Sequence, residues 1–126
     1  MFIERHVLTL TVNASGAATV YTSKVVSGPV LQLRYIPDAT TPLDTGADLT
    51  ITGEESGVAI ATLSNIGTSA FTKLPRQATH GVTGTALVYA STDAVAEPVV
   101  VAGERIKVVV AQGGVSMTGA LHVFVG

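Results

Sequence analysis

Acid–base or metal chemistry in this chain of 126 residues would have to come from nine carboxylates and three histidines. There is no cysteine, which excludes thiol catalysis, disulfides and zinc–thiolate sites. His6, His80 and His122 are far apart, and none forms the i, i+2 or i, i+4 pair that makes a local metal site. His6 and His122 fall on the first and last expected strands, where strand pairing would make them neighbours. Glu54-Glu55 sits among Gly53, Ser56 and Gly57. Adjacent carboxylates can hold a cation or share acid and base roles. Framed by glycines, they read instead as the solvated tip of a hairpin. The chain has no G-x-S-x-G elbow and no glycine-rich phosphate loop ending in Lys-Ser or Lys-Thr. Aromatics are 5% of residues and Trp is absent, so no stacking platform for sugars or bases is expected.

The sharpest local motif is Leu43-Asp44-Thr45-Gly46-Ala47-Asp48. It resembles the active-site loop of retroviral-type aspartic proteases, all-β dimers in which each subunit gives one carboxylate. That resemblance implies Asp44 as the catalytic carboxylate and Thr45 as its support, two copies sharing one proton. Three features depart from that pattern. Thr40-Thr41-Pro42 precedes the motif where an apolar strand is needed. Ile66-Gly67-Thr68-Ser69 is a poor flap. The end, Leu121–Gly126, is a strand pattern with no helix after it. Asp and Gly are also ordinary turn residues, and Asp44-Thr45-Gly46 reads as a turn before a strand. No enzyme activity, cofactor or metal is expected.

The elements that must position these residues are strands. Val and Thr are the two commonest residues, stiff at χ1 and suited to a pleated surface. Gly and Pro recur too often for a long helix. Period-two patterning predicts strands over Ile3–Val12, Ala17–Val26, Val30–Ile36, Asp48–Thr52, Val58–Leu63, Phe71–Leu74, Ala86–Ala90, Val99–Val101, Arg105–Ala111 and Ala120–Val125. Ser91–Pro98 reads as a loop or one helical turn. Turn residues predict hairpins at Asn13–Gly16, at Gly53–Gly57 and at Gln112–Gly119. The expected fold is all-β: one domain over 1–126, an antiparallel β-sandwich of jelly-roll or Ig-like type with eight to ten short strands.

Composition narrows the partners. Apolar residues are 47% and charged residues 13%, about half the charged share of an ordinary domain. Disorder is excluded. No stretch approaches the ~18 uninterrupted apolar residues of a membrane helix, so no membrane partner is expected. A net charge of −2 offers no basic field for nucleic acid. The start, Met1-Phe2-Ile3-Glu4-Arg5-His6, lacks the pattern of a secretion signal, so the chain is expected to stay in the cytoplasm or to leave within something larger. So few charges leave a skin of Thr, Ser, Ala, Gly and Val, which suits permanent burial against copies of itself or another protein.

Most of the chain also resembles small all-β structural proteins of tailed bacteriophages and prophages. The resemblance is carried by MFIERHVLTLT (Met1–Thr11), LQLRYIPD (Leu31–Asp38), DLTITGEESGVAI (Asp48–Ile60), PRQATH (Pro75–His80) and ERIKVVVAQGGVSMTGALHVFVG (Glu104–Gly126). It implies a virion protein, foremost a capsid cement or decoration protein assembled in the host cytoplasm. The implied partner is the phage major capsid protein, bound by a homo-oligomer on the capsid surface. Another virion component, in tail, fibre or head completion, is the alternative it leaves. The segments expected to touch neighbours are Met1–Arg5, Pro37–Ala47 and Ser64–Gly84.

Overall fold

Alternation of apolar and polar residues, with β-branched side chains in most positions, gives strands throughout. The computed structural model describes residues 2–90 and 94–126, and among these there is no helix. Ten strands follow in order: β1 (Glu4–Thr11), β2 (Ala18–Tyr21), β3 (Val26–Pro37), β4 (Asp48–Gly53), β5 (Ala59–Leu63), β6 (Phe71–Lys73), β7 (Arg76–Ala78), β8 (Ala96–Glu104), β9 (Ile106–Ala111) and β10 (Thr118–Val125). One sheet runs β1-β10-β3-β8-β7, with β6 also paired to β3; the other runs β2-β9-β4-β5. Every pairing is antiparallel.

Without β6 and β7, the two orders are those of a jelly roll. The chain behaves as one long ribbon folded over itself. Glu4 pairs Val125, Ala18 pairs Val110 and Pro29 pairs Val100, so each advance along one arm matches, to within one residue, a retreat along the other. The ribbon closes at the β4–β5 hairpin, as Gly53–Gly57 predicts.

The other two expected hairpins do not form. β1 and β2 lie in different sheets, as do β9 and β10. Their turn residues instead make one shared corner where both arms of the ribbon cross between sheets. Val12 N donates to Met117 O at 3.0 Å, and Gly113 N donates to Gly16 O at 2.8 Å. Glycine is required at Gly16 (φ 79°), where a Cβ would lie 2.9 Å from Gly113 N. The next corner joins Thr22 to β9: Thr22 N donates to Ile106 O, and Ile106 N donates to Thr22 Oγ1.

The inner faces share one hydrophobic cluster. Leu8, Leu10, Leu33, Tyr35, Leu121 and Val123 come from the first sheet; Leu49, Ile51, Val108 and Val110 from the second. Each such side chain contributes about 1.5–3 kcal/mol on burial. The period-two readings of β1, β9 and β10 hold: His6, Leu8 and Leu10 point inward, as do Ile106, Val108 and Val110, and Leu121, Val123 and Val125.

Other boundaries move. The second strand stops at Tyr21, and the third begins at Val26. Within β3 the buried positions step from Val30 to Leu33, leaving Leu31 half-buried, because a bulge shifts the register between Phe124 and Val125 opposite it. Arg76–Ala78, outside every predicted strand, forms one. Ala86–Ala90 is not a strand; only two isolated bridges, His80–Ala86 and Val88–Ala94, occur there. Of the expected loop Ser91–Pro98, Ser91–Asp93 lies outside the described residues, and Ala96–Pro98 opens β8.

Candidate interaction surface

The residues that could do chemistry are kept apart. His6 and His122 do lie on paired strands, but His6 faces Val123 and His122 faces Val7. Directly paired residues share a face, so the two imidazoles project to opposite sides of the sheet. His6 turns inward, its Nε2 3.4 Å from Glu4 Oε2, while His80 sits on an exposed excursion. Among the described residues, no group of three or more His, Cys, Asp or Glu could hold a metal ion.

Glu54 and Glu55 do not act as a pair. Glu54 accepts two hydrogen bonds from Arg105, both 2.6 Å, and the Arg105 guanidinium also covers Tyr21, 4.5 Å from its ring centroid. That donation holds the Glu54 carboxyl below its ordinary value. Glu55 offers its backbone amide to Glu104, a buried carboxylate that the sequence reading passed over. Glu104 Oε1 accepts from Glu55 N and Ser56 N at 2.9 Å each, and Oε2 accepts from Ser56 Oγ at 2.8 Å. The Ser56 amide, then its hydroxyl, depress the Glu104 pKa against burial. Gly53 makes room for this carboxylate: a Cβ there would lie 2.7 Å from Glu104 Cδ. The signal was present in the sequence, since Glu104-Arg105 interrupts an otherwise apolar run. The arrangement is a clamp between the β4–β5 tip and the β8–β9 junction.

Asp44 is exposed in the loop before β4. Its amide donates to Gly113 O at 3.1 Å, and its carbonyl accepts from Ala47 N at 3.0 Å. This is turn geometry that ties the loop to the shared corner. The loop holding it is less free than Pro37–Ala47 was expected to be. Leu43 and Ala47 are buried in the core. Asp38 accepts from the amides and hydroxyls of Thr40 and Thr41, and the Thr41 amide foremost brings its pKa from 3.8 down to about 2.

Half of the exposed large apolar residues lie on two extensions of the first sheet. Phe2 and Ile3 stand exposed beside β1, at one edge. At the other edge, β6 occupies β3 at Leu33–Tyr35, so β8 leaves β3 beyond Val99 and pairs with β7 alone. From there the chain runs out as an arm. Thr79 N donates to Val95 O, Leu87 N to Thr79 O and Val95 N to Leu87 O. No described residue of the arm belongs to the core cluster. Val82 is fully exposed and Tyr89 is 75% exposed, with Leu87 and Val88 open beside them. Residues 79–96 include a single charged residue, Asp93. Of the segment Ser64–Gly84, β6 and β7 are thus sheet, and only its last part is free. Met1 lies outside the described residues.

No protein family matches the chain, and neither does any curated protein. Among solved structures, the crystal structure of FLHE matches at a TM-score of 0.39 and 13% identity, covering 98% of this chain and 96% of that one. A likeness that loose carries no functional argument.

Proposed function

We propose that the chain is a structural protein of a bacteriophage particle, a cement or decoration protein that binds the shell of major capsid protein and stiffens it. The observation that carries this reading is the charge-poor arm of residues 79–95, whose single charged residue is Asp93 and which presents Val82, Leu87, Val88 and Tyr89 to the outside. An exposed apolar ribbon with so little charge is costly to leave in water and suits permanent burial against a neighbour. The family texture of the sequence points the same way.

The mechanism is mechanical. A packaged genome pushes outward on a shell of weakly joined subunits. A rigid two-layered body with an apolar extension at each edge of one sheet can bridge two subunits. Even ~1–2 kcal/mol of added interface per copy accumulates over many symmetric positions, since 1.4 kcal/mol is tenfold in an equilibrium constant. The test mixes purified protein with empty expanded shells of the phage or prophage that encodes it and images the mixture. The expected result is density at a regular multiple on the shell lattice. Finding the protein only on tails, or on nothing, overturns the assignment. So does a proteolytic activity that vanishes on Asp44→Asn.

A further inference from the structure

Strand pairing places the outward side chains of the first sheet in rungs. Arg5, Phe124 and Gln32 make one rung; Val7, His122, Arg34 and Thr72 the next; Thr9, Ala120 and Ile36 the third. Beyond them, Val100 points outward opposite Pro29. Across β1, β10, β3 and β6 this face carries two cations, both arginines; Arg76 follows on the edge strand β7, opposite Pro98. Neither Arg5 nor Arg34 has a carboxylate partner among the described residues. Arg34 Nη1 donates to Thr72 Oγ1 at 2.7 Å, which lays the guanidinium along the sheet with its remaining donors free. The carboxylate at the rim, Asp38, is held by Thr40 and Thr41. Glu4 falls out of phase with the face and lies against His6 instead.

The outward face of the second sheet differs. Its rungs are Thr19, Val109, Thr50 and Thr62, then Tyr21, Lys107 and Thr52. Threonine and lysine suit water, and the one guanidinium on this side, Arg105 over Tyr21, is already paired with Glu54. Arginine with aromatic and aliphatic neighbours suits an interface, where Arg is enriched and Lys depleted. The acids of the β4 region, Asp44, Asp48, Glu54 and Glu55, all lie at the ends of the second sheet, so this chain, although net negative, turns an acid-free face outward.

We infer that the outward face of the β1-β10-β3-β6 sheet is a docking surface for an acidic protein surface, with Arg5 and Arg34 each taking a carboxylate in a forked pair. By strand spacing the two arginine backbones are roughly 12 Å apart, so the partner needs two carboxylates about that far apart with apolar surface between them. Guanidinium–carboxylate forks are directional and hold register. Phe124, with Val7 beside it, supplies the apolar surface between the arginines, His122 shares that centre, and Ile36 extends it beyond Arg34. The identity of that partner as a capsid subunit rests on the function proposed above; the face itself does not.

Two measurements separate those claims. In the first, poly-L-glutamate is titrated into the labelled protein at low salt, with a single-stranded oligonucleotide as comparison. Amide shifts are expected at Val7, His122, Arg34 and Phe124. Binding should fall at least tenfold in the double variant Arg5→Glu, Arg34→Glu and in Arg5→Gln, Arg34→Gln, and hold in Lys107→Glu. No binding, shifts confined to the second sheet or the arm, an equal loss in Lys107→Glu, or tighter binding of the oligonucleotide overturns the inference. In the second, the same variants are offered to empty shells. Attachment of wild type with at least tenfold loss in the arginine variants supports the face; undiminished attachment of those variants overturns it. Failure of wild type to attach removes the shell reading and leaves polyglutamate to judge the face.

Discussion

At the scale of single residues, Glu104 shows how a charge serves a fold. Its carboxylate replaces water for two backbone amides at the β4–β5 tip, and Gly53 must lack a side chain for it to fit. Glu104→Ala leaves both amides without that acceptor and should destabilise the chain in urea; Glu104→Gln keeps an oxygen for them and should cost less. The pH dependence follows from the direction of the shifts. Glu54, Glu104 and Asp38 all have folded pKa values below their ordinary ones. Each therefore adds stability above its unfolded value, 4.5 for the glutamates and 3.8 for Asp38, that is lost as pH falls toward the folded value. Urea midpoints should hold from neutral pH to about 5 and fall below 4.5, less steeply in Glu104→Gln. Tyr35 makes the opposite case. Burial raises its pKa, and the Leu43 amide offsets this only in part, short of hydrogen-bond geometry. A Cβ at Gly119 would lie 2.8 Å from the Tyr35 ring, so Gly119→Ala should cost about 1–3 kcal/mol by overpacking.

At the scale of elements, the arm and the core are separable. Thr79 and Val95 are already joined by a 2.9 Å hydrogen bond, so residues 80–94 can be replaced by an Asn-Gly turn between them. Because no described residue of the arm belongs to the core cluster, thermal and urea midpoints should stay within about 2 °C and a few tenths of a molar of wild type. Attachment to shells should fall at least tenfold. A large loss of stability instead would mean that the arm is part of the fold. The strand patterns themselves were readable along the chain wherever one face is buried and the other wet. They failed where a strand ends without contrast. Arg76-Gln77-Ala78 pairs through its backbone and has no apolar face to announce it. Ala86–Ala90 has strand-forming residues but no sheet to join.

At the scale of the whole molecule, the ribbon brings the two ends of the chain together, since β1 pairs β10 along its full length. Such non-local pairing requires loop closure before contacts form. Refolding from urea should therefore occupy milliseconds to seconds, not microseconds, which stopped-flow fluorescence of the three tyrosines can follow. The first sheet collects the features that favour docking: an apolar segment at the β1 edge, the arm beyond β8, and the arginine face between them.

The amino-acid sequence by itself determined an all-β chain, the positions of most strands, and which residues of β1, β9 and β10 face inward, because alternation is local and each residue reports its own side. It also determined that charge is scarce. Tertiary structure alone decided the rest. Asn13–Gly16 and Gln112–Gly119 look like hairpin turns, yet each carries the chain from one sheet to the other, and nothing within either turn distinguishes the two outcomes. The choice is made by the partner arm more than ninety residues away, as when Val12 meets Met117. The same holds for the surface: Arg5 and Arg34 share a face only because β10 lies between their strands. Backbone hydrogen bonds and core burial over that distance select the arrangement, and they exist only once the chain has folded.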